Sequence, residues 1–95
     1  MYSLTILFAQ AQCEAEFSYM QNGPTTIFTD LSTVSPSFSM NYSVTWAWDF
    51  GDNGDSAFIW HPSHEYMVNG YVGVSLKVIS SFGCMDDTLA YIEIF

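Results

Sequence analysis

From Val44 to Phe50 the chain alternates strictly, with Val44, Trp46, Trp48 and Phe50 on one side and Thr45, Ala47 and Asp49 on the other. A period of two in β-branched and aromatic residues predicts a half-buried strand over Ser43 to Phe50, its large side chains turned to a core. Gly51 to Asp55 ends that strand, because Gly, Asp and Asn tolerate the left-handed backbone angles of a tight turn. Two tryptophans and a phenylalanine on one face supply more apolar area than any other stretch, so the core is expected to form around Trp48 and Phe50.

The flanking segments show the same short period. Glu14 to Tyr19 predicts the first strand of the domain, Thr25 to Thr29 the second with Phe28 inward, and Asn22-Gly23-Pro24 the turn between them. The Ser-rich stretch Ser32 to Asn41 reads as a long loop or weak edge segment. Ala57 to Trp60 predicts a short strand and His61 to His64 a break. Asn69-Gly70 predicts a hairpin turn, Val72 to Ile79 a long alternating strand and Leu89 to Phe95 the last one. Short strands divided by turn signals, with no helical period, predict an all-β, two-sheet sandwich of about seven strands.

Trp48-Asp49-Phe50-Gly51-Asp52 resembles the W-D-F-G-D-G signature of PKD domains (polycystic kidney disease domains), immunoglobulin-like β-sandwich modules of extracellular proteins. Further motifs follow in order. Pro62, His64 and Tyr66 match P-x-H-x-Y, Gly70 the glycine after it, and Val74, Leu76 and Val78 the next alternating strand. Phe28-Thr29-Asp30-Leu31-Ser32 is similar to the upstream F-T-D-x-S, and Ala15 and Phe17 to the A-x-F of the first strand. The resemblance spans roughly residues 13 to 95. It departs from the family pattern where Asn53 is inserted into the G-D-G turn and where Val72 stands at a usual tyrosine, with Tyr71 one place early. In the family the histidine of P-x-H-x-Y packs and hydrogen-bonds inside the fold, so the resemblance implies a structural role for His64.

Composition narrows the function classes. One lysine, Lys77, stands against ten acidic residues for a net charge of −9, which disfavours nucleic acid and anionic membrane surfaces as partners. Acidity of this degree suits solubility in salt or cation binding. Two cysteines, Cys13 and Cys84, lie near opposite ends of the domain. The extracellular resemblance implies a disulfide between them, the alternative being two buried thiols. Ahead of the domain at 13–95, the segment 1–12 carries an apolar run, Leu4 to Ala9, and a small-x-small pattern at Ala9-Gln10-Ala11. It lacks a basic front and a full-length apolar stretch, so it reads as the back half of a signal peptide, an extra edge strand or a tail. It is too short to span a bilayer as a helix.

Asp49, Asp52, Asn53 and Asp55 place four oxygen-bearing side chains within seven positions, a weak calcium candidate whose spacing is not that of an EF-hand. The competing reading is that they form the turn, with Asp52 accepting the amides of Gly54 and Asp55. His61-x-x-His64-Glu65 suggests zinc, but such a site needs three or four ligands. No nucleophile elbow and no glycine-rich phosphate loop is present, and no cofactor is expected. Tyr42, Phe58, Trp60 and Phe82 fall at strand ends or in loops, where aromatics stack on sugars, anchor protein interfaces or cap the ends of a sandwich. The expected function is a non-catalytic extracellular interaction or spacer module, part of a larger secreted or surface polypeptide, contacting protein or polysaccharide. The alternative is a small metal-dependent hydrolase built on His61, His64 and the Asp49–Asp55 cluster.

Overall fold

The computed structural model describes residues 12–35, 43–52, 54–67, 69–81 and 83–95. Tyr42, Asn53, Phe82 and the segment 1–11 therefore lie outside the described residues. The described residues form nine strands and no helix: β1 (Gln12–Glu14), β2 (Phe17–Asn22), β3 (Thr25–Asp30), β4 (Thr33–Ser35), β5 (Val44–Asp49), β6 (Ser56–Ala57), β7 (Ser63–Glu65), β8 (Gly70–Ser80) and β9 (Met85–Ile94). They pair, all antiparallel, as a four-stranded sheet β6-β5-β8-β9, a three-stranded sheet β2-β3-β7 and a two-stranded β1-β4.

The two larger sheets close on the aromatic residues that the alternation selected. Trp48 is 1% exposed, with its ring 5.3 Å from Phe17 and 5.4 Å from Phe28, and Phe28 in turn lies 5.3 Å from Phe50. Val74, Leu76 and Val78 from β8 and Ile92 and Ile94 from β9 complete the core. A buried indole needs a partner for its N–H; Trp48 Nε1 donates to the Ile59 carbonyl at 3.0 Å.

That bond also explains one correction. Residues 57–60 are expected to form a strand, but only Ser56–Ala57 does. The chain then bends, and Ile59 turns its carbonyl to Trp48. The expected first strand over Glu14 to Tyr19 divides into β1 and β2. At the break Ala15 is buried and its amide donates to Asp86 Oδ2 at 2.8 Å, while the Glu16 amide donates to Ser32 Oγ at 3.0 Å. The expected break at His61–His64 ends early, since Ser63 and His64 already pair with Ile27 and Thr26 in β7. Asn69-Gly70 is not a hairpin turn: β7 belongs to the three-stranded sheet and β8 to the four-stranded one, so the chain crosses between sheets there. The last two strands are longer than their alternation suggests, and a part of the Ser-rich stretch, Thr33–Ser35, pairs with β1. With these short pieces counted, the strands number nine rather than about seven.

Cys13 and Cys84 are disulfide-bonded, with Cα atoms 5.6 Å apart and a sequence separation of 71. The bond fastens β1 to the turn joining β8 and β9. Closing a loop of that size stabilises by about 4 kcal/mol in the chain-entropy model. β1 begins at Gln12, one residue ahead of the expected domain boundary at 13, and pairs it with Ser35.

Because Trp48 meets both sheets at once, its truncation should leave a void that neither sheet can collapse into. Trp48→Ala is expected to lower the unfolding free energy by about 3–5 kcal/mol, read as a shift in the denaturant midpoint at constant m-value. A shift near zero would contradict this packing.

Candidate functional site

The matched motifs meet at one end of the sandwich. Gly51 follows β5 at φ +80°, and a Cβ there would run into the Gly73 carbonyl oxygen on β8, so backbone lies against backbone at a position only glycine fits. The Asp49 carboxylate accepts the Gly51 amide at 3.0 Å, and Phe50 N donates to the Asp55 carbonyl at 3.1 Å, closing the turn. Opposite the turn, β7 delivers His64 and then Tyr66. The imidazole lies flat on Phe50, with centroids 4.4 Å apart and planes 9° apart, and meets Tyr66 edge-on at 4.5 Å. His64 Nε2 is 2.8 Å from Asp52 Oδ2; an ionised carboxylate only accepts, so the ring nitrogen is the donor. The Tyr66 hydroxyl donates to the Phe50 carbonyl at 2.8 Å. Burial pushes the Tyr66 phenol well above its ordinary range, and the negative charges of Asp52 and then Asp49 push it further.

Asp52 is thus used differently from the expectation. Its side chain bonds His64, and the Asp55 amide donates instead to the Asp52 backbone carbonyl at 3.2 Å. Its second oxygen, Oδ1, is buried with no partner among the described residues. Asp52, Asp55 and His64 present ligand atoms within 4.8 Å of one another, the carboxylate of Asp55 lying 3.9 Å from His64 and largely exposed. Asp49 points into its own turn, and Asn53 lies outside the described residues. Among the described residues, the group whose ligand atoms converge is Asp52, Asp55 and His64, without Asp49.

His61 is occupied elsewhere. Its Nδ1 accepts the Asp30 amide at 3.1 Å and its ring stacks on Trp60 at 4.0 Å. The Asp30 carboxylate is a hub that sequence reasoning missed. Its Oδ2 accepts both the Trp46 and the Trp60 indole N–H at 3.1 Å, and its Oδ1 accepts the Ser32 amide at 2.9 Å. The F-T-D-x-S match thereby has a structural job, and Trp60 stacks on His61 and, at 6.2 Å, on Trp46 while staying exposed. His61 and His64 do not join in one metal-ligating group among the described residues.

A second feature lies on the outer face of the four-stranded sheet. Alternation turns Tyr71, Leu89 and Tyr91 outward, and they are 72%, 56% and 72% exposed. Tyr91 lies over Gly73, where a Cβ would meet its ring at 3.0 Å, and the Tyr71 hydroxyl donates to Glu93 Oε1 at 3.3 Å. The signal was present in the chain, since both tyrosines occupy the side of an alternating strand that water should hold. Phe58 is also exposed, and with Ile79, Ala47 and Lys77 it lines a shallow hollow of about 340 Å³ on this sheet.

Two antiparallel sheets closed on a tryptophan-centred core make the chain an immunoglobulin-like β-sandwich. The PKD domain family matches residues 18–94, and the chain belongs to that family. The PKD1 domain of Vibrio anguillarum Epp is similar in structure, with TM-score 0.72 and 25% identity over 87% of this chain and 93% of that one. The PKD1 domain of the Vibrio cholerae metalloprotease PrtV shares the fold at TM-score 0.72 and 23% identity, over 90% of this chain and 98% of that one. No curated protein sequence matches. PKD domains are generally non-catalytic modules within larger polypeptides.

The Tyr66 hydroxyl gives a pH prediction. A phenol whose folded value lies above its unfolded value of about 10 contributes stability that is present below about pH 10 and lost as the pH rises toward the folded value. Tyr66→Phe should cost about 1–3 kcal/mol at neutral pH, because it orphans the buried Phe50 carbonyl. The gap between wild type and variant should narrow above about pH 10. Denaturant melts across pH measure both, and a gap unchanged at alkaline pH would contradict the assignment.

Proposed function

We propose that this domain is a non-catalytic contact module of an extracellular or surface protein, engaging protein or polysaccharide through the outer face of its four-stranded sheet. The observation that carries the reading is the exposed Tyr71–Leu89–Tyr91 patch, apolar area on the solvent side of a sheet whose other side already fills the core. The chemistry at the opposite candidate supports it. His64 stacks on Phe50 and donates to Asp52, and Tyr66 holds the Phe50 carbonyl, so these groups are spent on one another. The family and the Cys13–Cys84 bond, of a kind that persists in oxidising compartments, support a location outside the cell. Residues 1–11, ahead of β1, read as the end of a secretion signal on this account, and calcium binding at Asp52 and Asp55 would be weak, in the millimolar range known for extracellular modules.

The test is retention of the purified chain on chitin, cellulose and gelatin supports, compared with the Tyr71→Ser/Tyr91→Ser double variant. Retention should fall by about tenfold or more, the scale of losing two aromatic anchors, while the thermal transition stays in place. Saturable zinc or calcium binding in the micromolar range, together with hydrolysis of chromogenic esters abolished by His64→Ala, would overturn the proposal in favour of the hydrolase.

A further inference from the structure

β9 is the outer strand of the four-stranded sheet, and its backbone polarity can be read from the bonds at its two ends. Ser80 N donates to the Cys84 carbonyl at 2.9 Å, so the even-numbered positions of the β8–β9 ladder face each other. The odd-numbered positions of β9 face away. Gln21 shows this directly: its Nε2 donates to the Glu93 carbonyl and its Oε1 accepts the Phe95 amide at 3.2 Å, occupying the edge as a short strand would. At the other end Asp86 takes the Ala15 amide at 2.8 Å. Between these two ties the edge-facing N–H and C=O groups of Leu89 and Tyr91 have no partner among the described residues. An unpaired edge that carries exposed apolar side chains is a template for another strand.

We infer that this window of β9 accepts an extended, lysine- or arginine-rich segment of a partner protein as an added antiparallel strand. The inference rests on reading the domain as a contact module and names the partner that reading leaves open. In an antiparallel pair the residues opposite Leu89 and Tyr91 share their face of the sheet. That face holds the carboxylates of Asp87 and Glu93 on β9 itself and the rings of Tyr71 and Tyr91, with Lys77 as its one cation, opposite Asp87. A cationic side chain placed there meets carboxylates on either side and an aromatic ring to lie against. A net charge of −9 steers such a segment in and sets two copies of this chain against pairing through the same edge.

The experiment titrates the full chain with a capped octapeptide of alternating lysine and valine, followed by amide NMR and hydrogen exchange. An octapeptide of alternating glutamate and valine is the control. The inference expects the Leu89 and Tyr91 amides to shift and to gain protection of about tenfold or more. Binding should weaken several-fold as added salt shortens the Debye length from about 10 Å to about 3 Å. Leu89→Pro removes an N–H that faces the open edge and leaves the β8 ladder intact, so it should weaken binding by about tenfold or more. Leu89→Lys, at an exposed position, is expected to do the same by blocking the edge with charge. Asp87→Asn/Glu93→Gln should flatten the salt dependence. Binding undiminished in both Leu89 variants, equal affinity for the glutamate peptide, or self-association of the peptide-free chain through Leu89 would overturn the inference. Peptide contacts confined to another face would overturn the edge while leaving a contact module standing. A His64-dependent hydrolysis would remove the module reading and leave the peptide result as it is.

Discussion

The hydrogen bond from the Tyr66 hydroxyl to the Phe50 carbonyl holds together parts of the chain that no ladder joins. β5 belongs to one sheet and β7 to the other, so no strand pairing fixes their relative position. The bond is buried, where breaking it leaves a carbonyl unsatisfied rather than returned to water. Around it, His64 fills the space between Phe50 and Tyr66 with ring contacts and ties its polar edge to Asp52. The turn after β5 can then sit close against β8, which is why Gly51 has no room for a side chain.

The same geometry engages His64, the residue that looks most chemical, in the packing of the fold. A histidine between two carboxylates resembles a metal site or a base, and the ligand atoms do lie near one another. Yet the imidazole has one face on Phe50, its edge against Tyr66 and its Nε2–H on Asp52. Asp30 repeats the pattern at the other end of β5, where one carboxylate orients two indoles and His61 packs beside them. Polar residues in this sandwich close the gaps between sheets. Among the described residues, Tyr71, Leu89 and Tyr91 on the β8–β9 ribbon are exposed, as are Met20, Phe58 and Met67 elsewhere.

Acidity and the disulfide have consistent roles in this arrangement. With ten carboxylates and one lysine, surface ion pairs cannot be a main source of stability, and the aromatic core and the Cys13–Cys84 link carry that role. The link holds β1 beside the start of β9, and Gln21 holds β2 beside its end. Among the described residues the outer edge of β9 is thereby held at both ends, with no strand paired to it between them.

Much of this was written in the chain. Strict alternation from Val44 to Phe50 determined that Trp48 and Phe50 face a core, because side chains in a strand can only point two ways. The P-x-H-x-Y match of Pro62, His64 and Tyr66 implied a histidine bonded inside the fold, and the structure supplied its partners in the Phe50 turn. Tertiary structure decided what periodicity cannot encode. Which sheet each strand joins depends on contacts far apart in sequence, so Asn69-Gly70, a hairpin signal locally, became a crossing between sheets. Asp52 turned from its neighbouring amides to His64, twelve residues away, because a buried ring N–H needs an acceptor and the sheets bring that one within reach. Asp30, matched in the sequence only as one position of F-T-D-x-S, became the acceptor of two indole N–H groups that the fold brings to it. Which strands end as edges is settled only when every strand has found its partner, and among the described residues β9 is one of them, at the opposite side of its sheet from β6.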